Sequence, residues 1–478
     1  MSFLKLGQLT AILLLPTLAS ASDTASPSLV FPTNLDQPKL IFSVRDSVNY
    51  QFPDDVLAAL TKINANRGPE EQIKFVTYGH PYTMKDLVSF RVYDAIPNVP
   101  LIDPAKRAAD GKLPWYKHVP MQVRPWMQDT VEVFEDQNGI GALWFMGPYQ
   151  DEFFLTMEQR RRAAVLQSYI DSDEYTPNEN GVPPNVELEE MMAAANIETR
   201  KREAEKNWVA GLGIKNVKTF DGLNAMGGDF EALPGNFIVH SIDDNEGMGA
   251  IDDWLKGTRY EGRTHRMDAD WLQVGHVDEL VSVVPSKDAC GFAILTMNPK
   301  LGLDLLKTEK REKLANIIPK TYQAMKPDGF DLTKFVMGRI YDHVALGKTS
   351  PETAKEVQKG EQAAKHVSAV IGSLKAAYAK ANPACTDLKV IELPVVLTCD
   401  THSAKLNYCK TLVANPVNSI VLGRDVLVPN PFFPSFRAEI TKRLTAAGLT
   451  PHFVNTALAN MHAGNAHCAS NVVRQPTK

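Results

Sequence analysis

The sequence predicts an α/β fold, on three observations. Short β-branched runs recur along the chain, each bounded by Gly, Pro, Asn or Asp. Helical stretches with acidic or capped first turns stand between them. The composition, 44% hydrophobic and 22% charged, is that of a globular protein with a buried core. Runs alternating in this way indicate α/β or α+β architecture and exclude a β-sandwich.

The elements follow in order. Residues 1–21 carry one positive charge, Lys5, then the apolar run Leu9–Leu18, then the small residues Ala19-Ser20-Ala21. This pattern predicts a secretory signal peptide cut after Ala21, and hence a secreted, extracellular protein. The apolar run is too short to span a bilayer, and no later stretch is long and apolar enough. Lys39–Val44 and Lys74–Tyr78 read as strands on either side of a helix, Pro53–Asn64, whose first turn holds Asp54 and Asp55. Thr130–Phe134 and Ala142–Met146 are the next strands. Glu279–Val284, Phe292–Met297, Lys389–Thr398 and Ser419–Val428 are the later ones. Leu303–Met325 and Pro351–Ala381 read as helices, the second with Ser350 as N-cap and Pro351 at its first position. Two charged, helix-rich regions, about 151–208 and 307–365, read as insertions.

Charge and cysteines bound the function. A formal net charge of -5 gives no reason to expect nucleic acid or an anionic membrane as partner. No N-x-Ser/Thr sequon is present. Five cysteines, Cys290, Cys385, Cys399, Cys409 and Cys468, leave at least one thiol outside intramolecular bridges. Cys399 and Cys409 flank a short polar loop and are expected to close it in an oxidising compartment. Cys290 with Cys385 is a possible second bridge.

Three islands carry chemistry. In R-P-W-M-Q-D-T-V-E-V-F (Arg124–Phe134), strand alternation would put Asp129 on one face and Gln128, Thr130 and Glu132 on the other. One face offers a carboxylate near Trp126. The other offers hard oxygen donors suited to calcium. In D-W-L-Q-V-G-H-V-D-E (Asp270–Glu279), the same alternation puts His276 and Asp278 on one face, either as an acid/base pair or as a structural pair. In H-A-G-N-A-H-C-A-S-N (His462–Asn471), Cys468 is a candidate nucleophile. A packed, inert cysteine and a zinc site with His462 and His467 are the alternatives. On an extended segment His467 and Cys468 would face opposite ways, which argues against joint ligation. The stretch N-A-M-G-G-D-F-E-A-L-P (Asn224–Pro234) adds paired glycines that allow a tight backbone whose carbonyls can turn inward, and the carboxylate of Glu231.

Taken in this order, W-M-Q-D-x-x-E, V-G-H-V-D-E and H-x-G-x-x-H-C-x-x-N-V resemble the catalytic domain of the protein-arginine deiminases, within the guanidine-modifying pentein superfamily. V-L-G-R near Val421 and F-P-T-N near Phe31 add to the match, which is dispersed over roughly 31–474. The resemblance implies a pentein fold, a pseudo-fivefold α/β propeller of ββαβ modules, as one catalytic domain over residues 22–478. It implies Cys468 as nucleophile, His276 as acid/base, and Asp129 and Asp278 as the guanidinium-gripping carboxylates. Trp126 and Val274 would line the substrate's stem. One calcium ion would be held by Gln128, Glu132, Glu231 and the carbonyls of Gly227 and Phe230. The family's second calcium site uses an acidic residue where this chain has Thr130, so the resemblance does not extend to a second ion. Met461 stands where the family has an arginine that contacts the substrate backbone, and a basic substrate loop is shortened to residues 135–139.

The expected function is hydrolysis of the guanidinium of peptidyl arginine to citrulline and ammonia, with arginine-containing proteins or peptides as partners. A deiminase or amidinotransferase acting on free arginine or agmatine is the nearer alternative. A non-catalytic, secreted arginine-binding protein is the more distant one.

Overall fold

The computed structural model describes residues 28–45, 52–79, 116–120, 128, 131–137, 139–145, 216–220, 227–241, 252, 255–309, 351–400, 405–461 and 464–475. Several sequence expectations lie outside these residues: the leader over 1–21, Trp126, Asp129, Thr130, His462, the region 151–208 and most of 307–365.

The chain begins with β1 (Gln37–Arg45), followed by α1 (Phe52–Asn64) and β2 (Lys74–Gly79). β1 and β2 are parallel, and a parallel neighbour demands a crossover, which α1 supplies. α1 buries Phe52, Val56, Leu57, Leu60 and Ile63 on one stripe, the spacing of an amphipathic helix. β3 (Tyr116–Pro120) extends this sheet in parallel beyond β2. β4 (Val131–Asp136) and β5 (Gly139–Phe145) are antiparallel, and β5 pairs in parallel with β6 (Asn216–Phe220). β7 (Phe230–Leu233), β8 (Phe237–His240) and β9 (Thr264–Arg266) repeat that arrangement. So do β10 (Ser282–Pro285), β11 (Phe292–Asn298) and β12 (Lys389–Pro394). Between β11 and β12 stand α2 (Pro299–Leu306) and α3 (Pro351–Ala381). The short strands β13 (Leu397–Thr398) and β14 (Lys410–Thr411) form a two-stranded ladder. β15 (Ile420–Leu422), β16 (Asp425–Pro429) and β17 (Thr450–Val454) make the next sheet, with α4 (Pro434–Ala446) as the crossover. α5 (Ala457–Met461) follows, and β18 (Ser470–Gln475) returns to pair antiparallel with β1.

Five sheets among the described residues therefore share one plan: an antiparallel pair, then a parallel third strand. In the first sheet the leading strand comes from the far end of the chain, β18. The α/β expectation holds, and the sheet pattern is the repeated unit that the sequence resemblance implies. No sheet closes on itself among the described residues.

The strand boundaries differ from expectation in instructive ways. The expected strand Glu279–Val284 starts only at Ser282, because residues Val277–Glu279 coil into a 3₁₀ turn. The expected Ser419–Val428 is a hairpin, turned at Gly423 with φ of 73°, a conformation that glycine adopts without a Cβ penalty. Lys389–Thr398 is interrupted at residues 395–396. The helix expected over Leu303–Met325 is instead Pro299–Leu306: the Asn298 side chain accepts the Leu301 N–H at 2.8 Å and caps its start, and residues 307–309 are no longer helical.

Two disulfides pin loops to this frame, Cys290–Cys385 and Cys399–Cys409. The second is the pair expected from the loop it closes. Cys468 belongs to neither bridge.

Candidate active site

The leading strand of each of the five sheets is preceded by a short lead-in, and the chemistry is concentrated there. Cys468 precedes β18. Gln128 precedes β4, which carries Glu132. Gly228 and Asp229 precede β7, which carries Glu231. His276 and Asp278 precede β10, and Asn418 precedes β15. Contacts join all five. The Gln128 N–H donates to the Cys468 carbonyl at 3.3 Å. Asn418 Nδ2 lies 3.2 Å from Cys468 Sγ. Cys468 Sγ donates to Asp278 Oδ2 at 3.5 Å. His276 Nε2 lies 3.9 Å from Asp229 Oδ1.

His276, Asp278 and Cys468 are all buried, and one nitrogen, oxygen or sulfur atom from each lies within 4.8 Å of the others. A strand would have put His276 and Asp278 on a common face by alternation. Instead the backbone turns at Val277–Glu279, and the turn brings both side chains inward. The His276 N–H donates to Glu279 Oε1 at 3.3 Å, which ties the turn at its start. The imidazole lies against Gly228, where an added Cβ would fall 2.3 Å from His276 Nδ1, so the ring's position depends on that residue's having no side chain.

Residues 466–469 also turn, so the extended segment on which His467 and Cys468 would face opposite ways is absent there. His467 and Cys468 consequently do not face opposite ways. His467 Nδ1 lies 2.8 Å from Asp278 Oδ2, the same oxygen that Cys468 approaches. Burial works against charging His467, but the hydrogen bond and charge of Asp278, with the charge of Glu231, outweigh it and hold its pKa above the ordinary value. Among the described residues Asp278 Oδ1 is buried with no hydrogen-bond partner, which leaves one carboxylate oxygen to receive a donor from a ligand. The arrangement of thiol, imidazole and open carboxylate oxygen suits nucleophilic attack on a planar cation. His462 of the alternative zinc grouping lies outside the described residues; among the described residues His276, Asp278 and Cys468 form a group of potential ligand atoms.

The carboxylates of the calcium expectation form the other half of the site. Gln128 lies just ahead of β4 and not within it, and its Nε2 donates to Glu132 Oε2 at 2.7 Å. Glu231 accepts from Asn34 Nδ2 at 3.3 Å. Asn34, from the F-P-T-N stretch, also accepts from Arg474, whose guanidinium further donates to the carbonyls of Asp36 and Val421. Burial, together with the charge of Glu231, pushes the Glu132 carboxyl well above its usual value. Burial pushes Glu231 up to about 7, opposed by His467 and Arg474. Gly227 and Phe230 flank the turn beneath Glu231, as expected from the paired glycines. Val274 is half-buried just ahead of the Val277–Glu279 turn, next to Gln273, whose N–H donates to the Cys409 carbonyl at 2.8 Å.

Sequence reasoning missed Asn418, Asp229, Gly228 and the role of His467 in the hydrogen-bond network. Asn418 and Asp229 lie outside any three-residue motif with a chemical reading. Only their place, one short step ahead of a strand like the other site residues, could have marked them.

The family model described as "Protein-arginine deiminase (PAD)" matches residues 234–478. Among curated proteins, the chain is 24% identical over 253 residues to protein-arginine deiminase type-4 of Mus musculus, covering 51% of this chain and 34% of that protein. It is 26% identical over 215 residues to protein-arginine deiminase type-1 of Mus musculus, covering 44% and 28%. The chain thus spans about a third of the length of the curated relatives it matches. Among solved structures, the agmatine deiminase of C. jejuni is 12% identical with a TM-score of 0.44, covering 94% of this chain and 97% of that one.

Proposed function

Since the chain belongs to the protein-arginine deiminase family, we propose that it hydrolyses the guanidinium of arginine residues in peptides to citrulline, releasing ammonia. The observation that carries the reading is the convergence of Cys468, His276 and Asp278, with one buried Asp278 oxygen open to a donor. A guanidinium is planar and permanently charged, and its paired N–H groups match a carboxylate. Asp278 would take one side of it, and Asp129, on the family motif, the other. Trp126 and Val274 would lie along the aliphatic stem.

Held in this way, the guanidinium carbon faces Cys468 Sγ. The thiolate attacks that carbon and a tetrahedral adduct forms. His276 gives a proton to the departing nitrogen, and ammonia leaves. His276 then takes a proton from water, whose oxygen attacks the thiouronium carbon. The C–S bond breaks and the thiolate is regenerated, the adduct's hydroxyl proton passes to solvent, where ammonia takes it up, and the side chain leaves as a neutral urea.

Gln128, Glu132 and Glu231 fit a calcium ion by the chemistry of the donor set: a buried and a half-buried carboxylate beside an amide oxygen, both carboxyls raised by desolvation. Bound there, the ion would neutralise two charges that otherwise repel. The protein's own residues do the rest. Gln128 holds the Cys468 backbone through its N–H, and Glu132 fixes the strand that follows Asp129. Two disulfides suit an oxidising compartment, which agrees with the secretion expected from residues 1–21.

The test is an ammonia-release assay on a blocked arginine peptide, free arginine and agmatine, each with calcium and with chelator. Turnover of the peptide, its loss in Cys468→Ser, and preferential labelling of Cys468 by a haloacetamidine are the expected results. Turnover of free arginine or agmatine alone would replace the peptidyl reading with a small-guanidine one. Full activity in Cys468→Ser would remove the mechanism.

A further inference from the structure

All five lead-ins send a polar or charged side chain to the site, four of them through Gln128 before β4, Asp229 before β7, His276 and Asp278 before β10, and Cys468 before β18. The fifth, Asn415-Pro416-Val417-Asn418-Ser419 before β15, sends Asn418. Asn418 is 1% exposed. Its Oδ1 accepts from the backbone N–H of His467 at 2.9 Å and of Cys468 at 3.3 Å. Its Nδ2 faces Cys468 Sγ at 3.2 Å and the Asp278 carbonyl at 3.5 Å. The amide can sit only this way round. Turned over, its NH2 would meet two N–H donors and its oxygen would meet a carbonyl.

We propose that Asn418 is a catalytic residue of this site: its Nδ2–H donates to Cys468 Sγ and stabilises the negative charge that the nucleophile carries when it ionises. A hydrogen bond to an ionised acceptor is about twice as strong as one to a neutral acceptor, so this contact favours thiolate over thiol. The surrounding charges make such a donor useful. Asp278 Oδ2, 3.5 Å from the sulfur, opposes ionisation. His276 lies within the same cluster, and His467 on the nucleophile's own turn is held by Asp278. Glu231 on β7 and Arg474 on β18 act on His467 with opposite signs, and Glu132 on β4 stands with them. Asn418 contributes a donor that does not titrate. Its two backbone contacts also set where the sulfur points, because they fix the N–H groups of two consecutive peptides, Ala466–His467 and His467–Cys468.

The inference rests on Cys468 being the nucleophile, and its test needs no turnover. The other four cysteines are in disulfides, so the ultraviolet absorbance of a thiolate reports Cys468 alone, with Cys468→Ser as blank. Asn418→Asp keeps the oxygen that accepts both backbone N–H groups and replaces the NH2 by a second oxygen. It keeps the scaffold role and removes the donor. Because the new carboxylate's charge by itself also opposes ionisation, the uncharged Asn418→Ser is measured beside it and must show a raised midpoint as well. The expected result is thermal unfolding close to wild type, an ionisation midpoint raised by at least about one pH unit, and about tenfold less thiolate at a fixed pH below that midpoint. The acid limb of the rate profile for the arginine peptide should move by the same amount. An unchanged midpoint in either folded variant overturns the proposal and leaves Asn418 as scaffold. Should Asn418→Asp fail to fold, Asn418→Ser, uncharged and too short to reach the sulfur, is read alone by the same criterion. A shifted midpoint in a protein that turns over no guanidine keeps the charge-holding role and removes the deiminase reading.

Discussion

His467 Nδ1 and Asp278 Oδ2 lie 2.8 Å apart, and the Sγ of the next residue, Cys468, approaches that same oxygen at 3.5 Å. One carboxylate oxygen thus serves two consecutive residues, while its twin stays open. The pair has a pH signature. Its pKa in the folded protein is raised above the ordinary histidine value of about 6.5. Below that ordinary value the imidazole is charged in both folded and unfolded chains, and the folded state keeps the whole benefit of the pair. As pH rises through the raised folded value, the proton leaves and the benefit goes. Urea denaturation of wild type and His467→Gln across mildly acid to alkaline pH should show a stability gap that is widest in acid and closes in alkali. A gap that stays constant or widens with pH contradicts the pairing.

Gly228→Ala should cripple the reaction without unfolding the protein. The new Cβ would sit 2.3 Å from His276 Nδ1, so the imidazole must move. A misplacement of about 1 Å in a catalytic group can cost roughly a hundredfold in rate. A kcat lowered by about that factor is expected, with the Km for the arginine peptide little changed. Wild-type kcat in this variant would mean that His276 has room the structure does not give it.

The architecture was legible where local pattern and tertiary context agree. α3 runs over Pro351–Ala381 as its cap and spacing indicate, and α1 falls within one residue of expectation. The motif order also carried the grouping of His276, Asp278 and Cys468. What alternation could not supply was the backbone around them. Val277–Glu279 coils where strand alternation is the sequence reading, and residues 466–469 turn where an extended segment would set His467 and Cys468 apart. Such turns are stabilised by contacts far apart in sequence, such as Asn418 with the N–H groups of His467 and Cys468, across 49 and 50 residues. Period-two reasoning has no access to those contacts. Asn418 was invisible for the same reason: its chemistry exists only once β15 and β18 are side by side in space with β10.

The Cys399–Cys409 bridge should matter for the site as well as for stability. The Cys409 N–H donates to the Trp271 carbonyl at 2.9 Å, and its own carbonyl accepts from Gln273. The bridge therefore steadies the stretch leading to Val274 and His276. The double variant Cys399→Ser with Cys409→Ser is expected to lose about 2–4 kcal/mol of stability in denaturant titration, the usual range for a lost native disulfide. Its Km for an arginine peptide should rise more than its kcat falls, because Val274 lines the substrate's stem in the proposed site. Equal Km in the two proteins would detach this loop from substrate binding.

The last prediction concerns calcium and its pH dependence. Burial raises the Glu132 and Glu231 carboxyls, Glu231 to about 7, and each opposes the ionisation of the other. In the unfolded chain both ionise near the ordinary glutamate value of about 4.3. Without an ion, stability therefore falls as pH rises from there toward the raised folded values, because the unfolded chain gives up these protons first. Calcium needs both carboxylates ionised, so its binding must release protons, and its affinity should rise between roughly pH 6 and 8. Calorimetry in buffers of different ionisation enthalpy measures that release directly. The gain in thermal stability with calcium should be larger at the alkaline end, and Glu231→Gln should reduce both the gain and the proton release. Activity should fall on chelation and return with calcium, because the Gln128 N–H holds the Cys468 carbonyl and loosening one loosens the other. Calcium binding with no proton release, or full activity after exhaustive chelation, would mean that these carboxylates are satisfied by Gln128 and Asn34 alone and that the protein works without the ion.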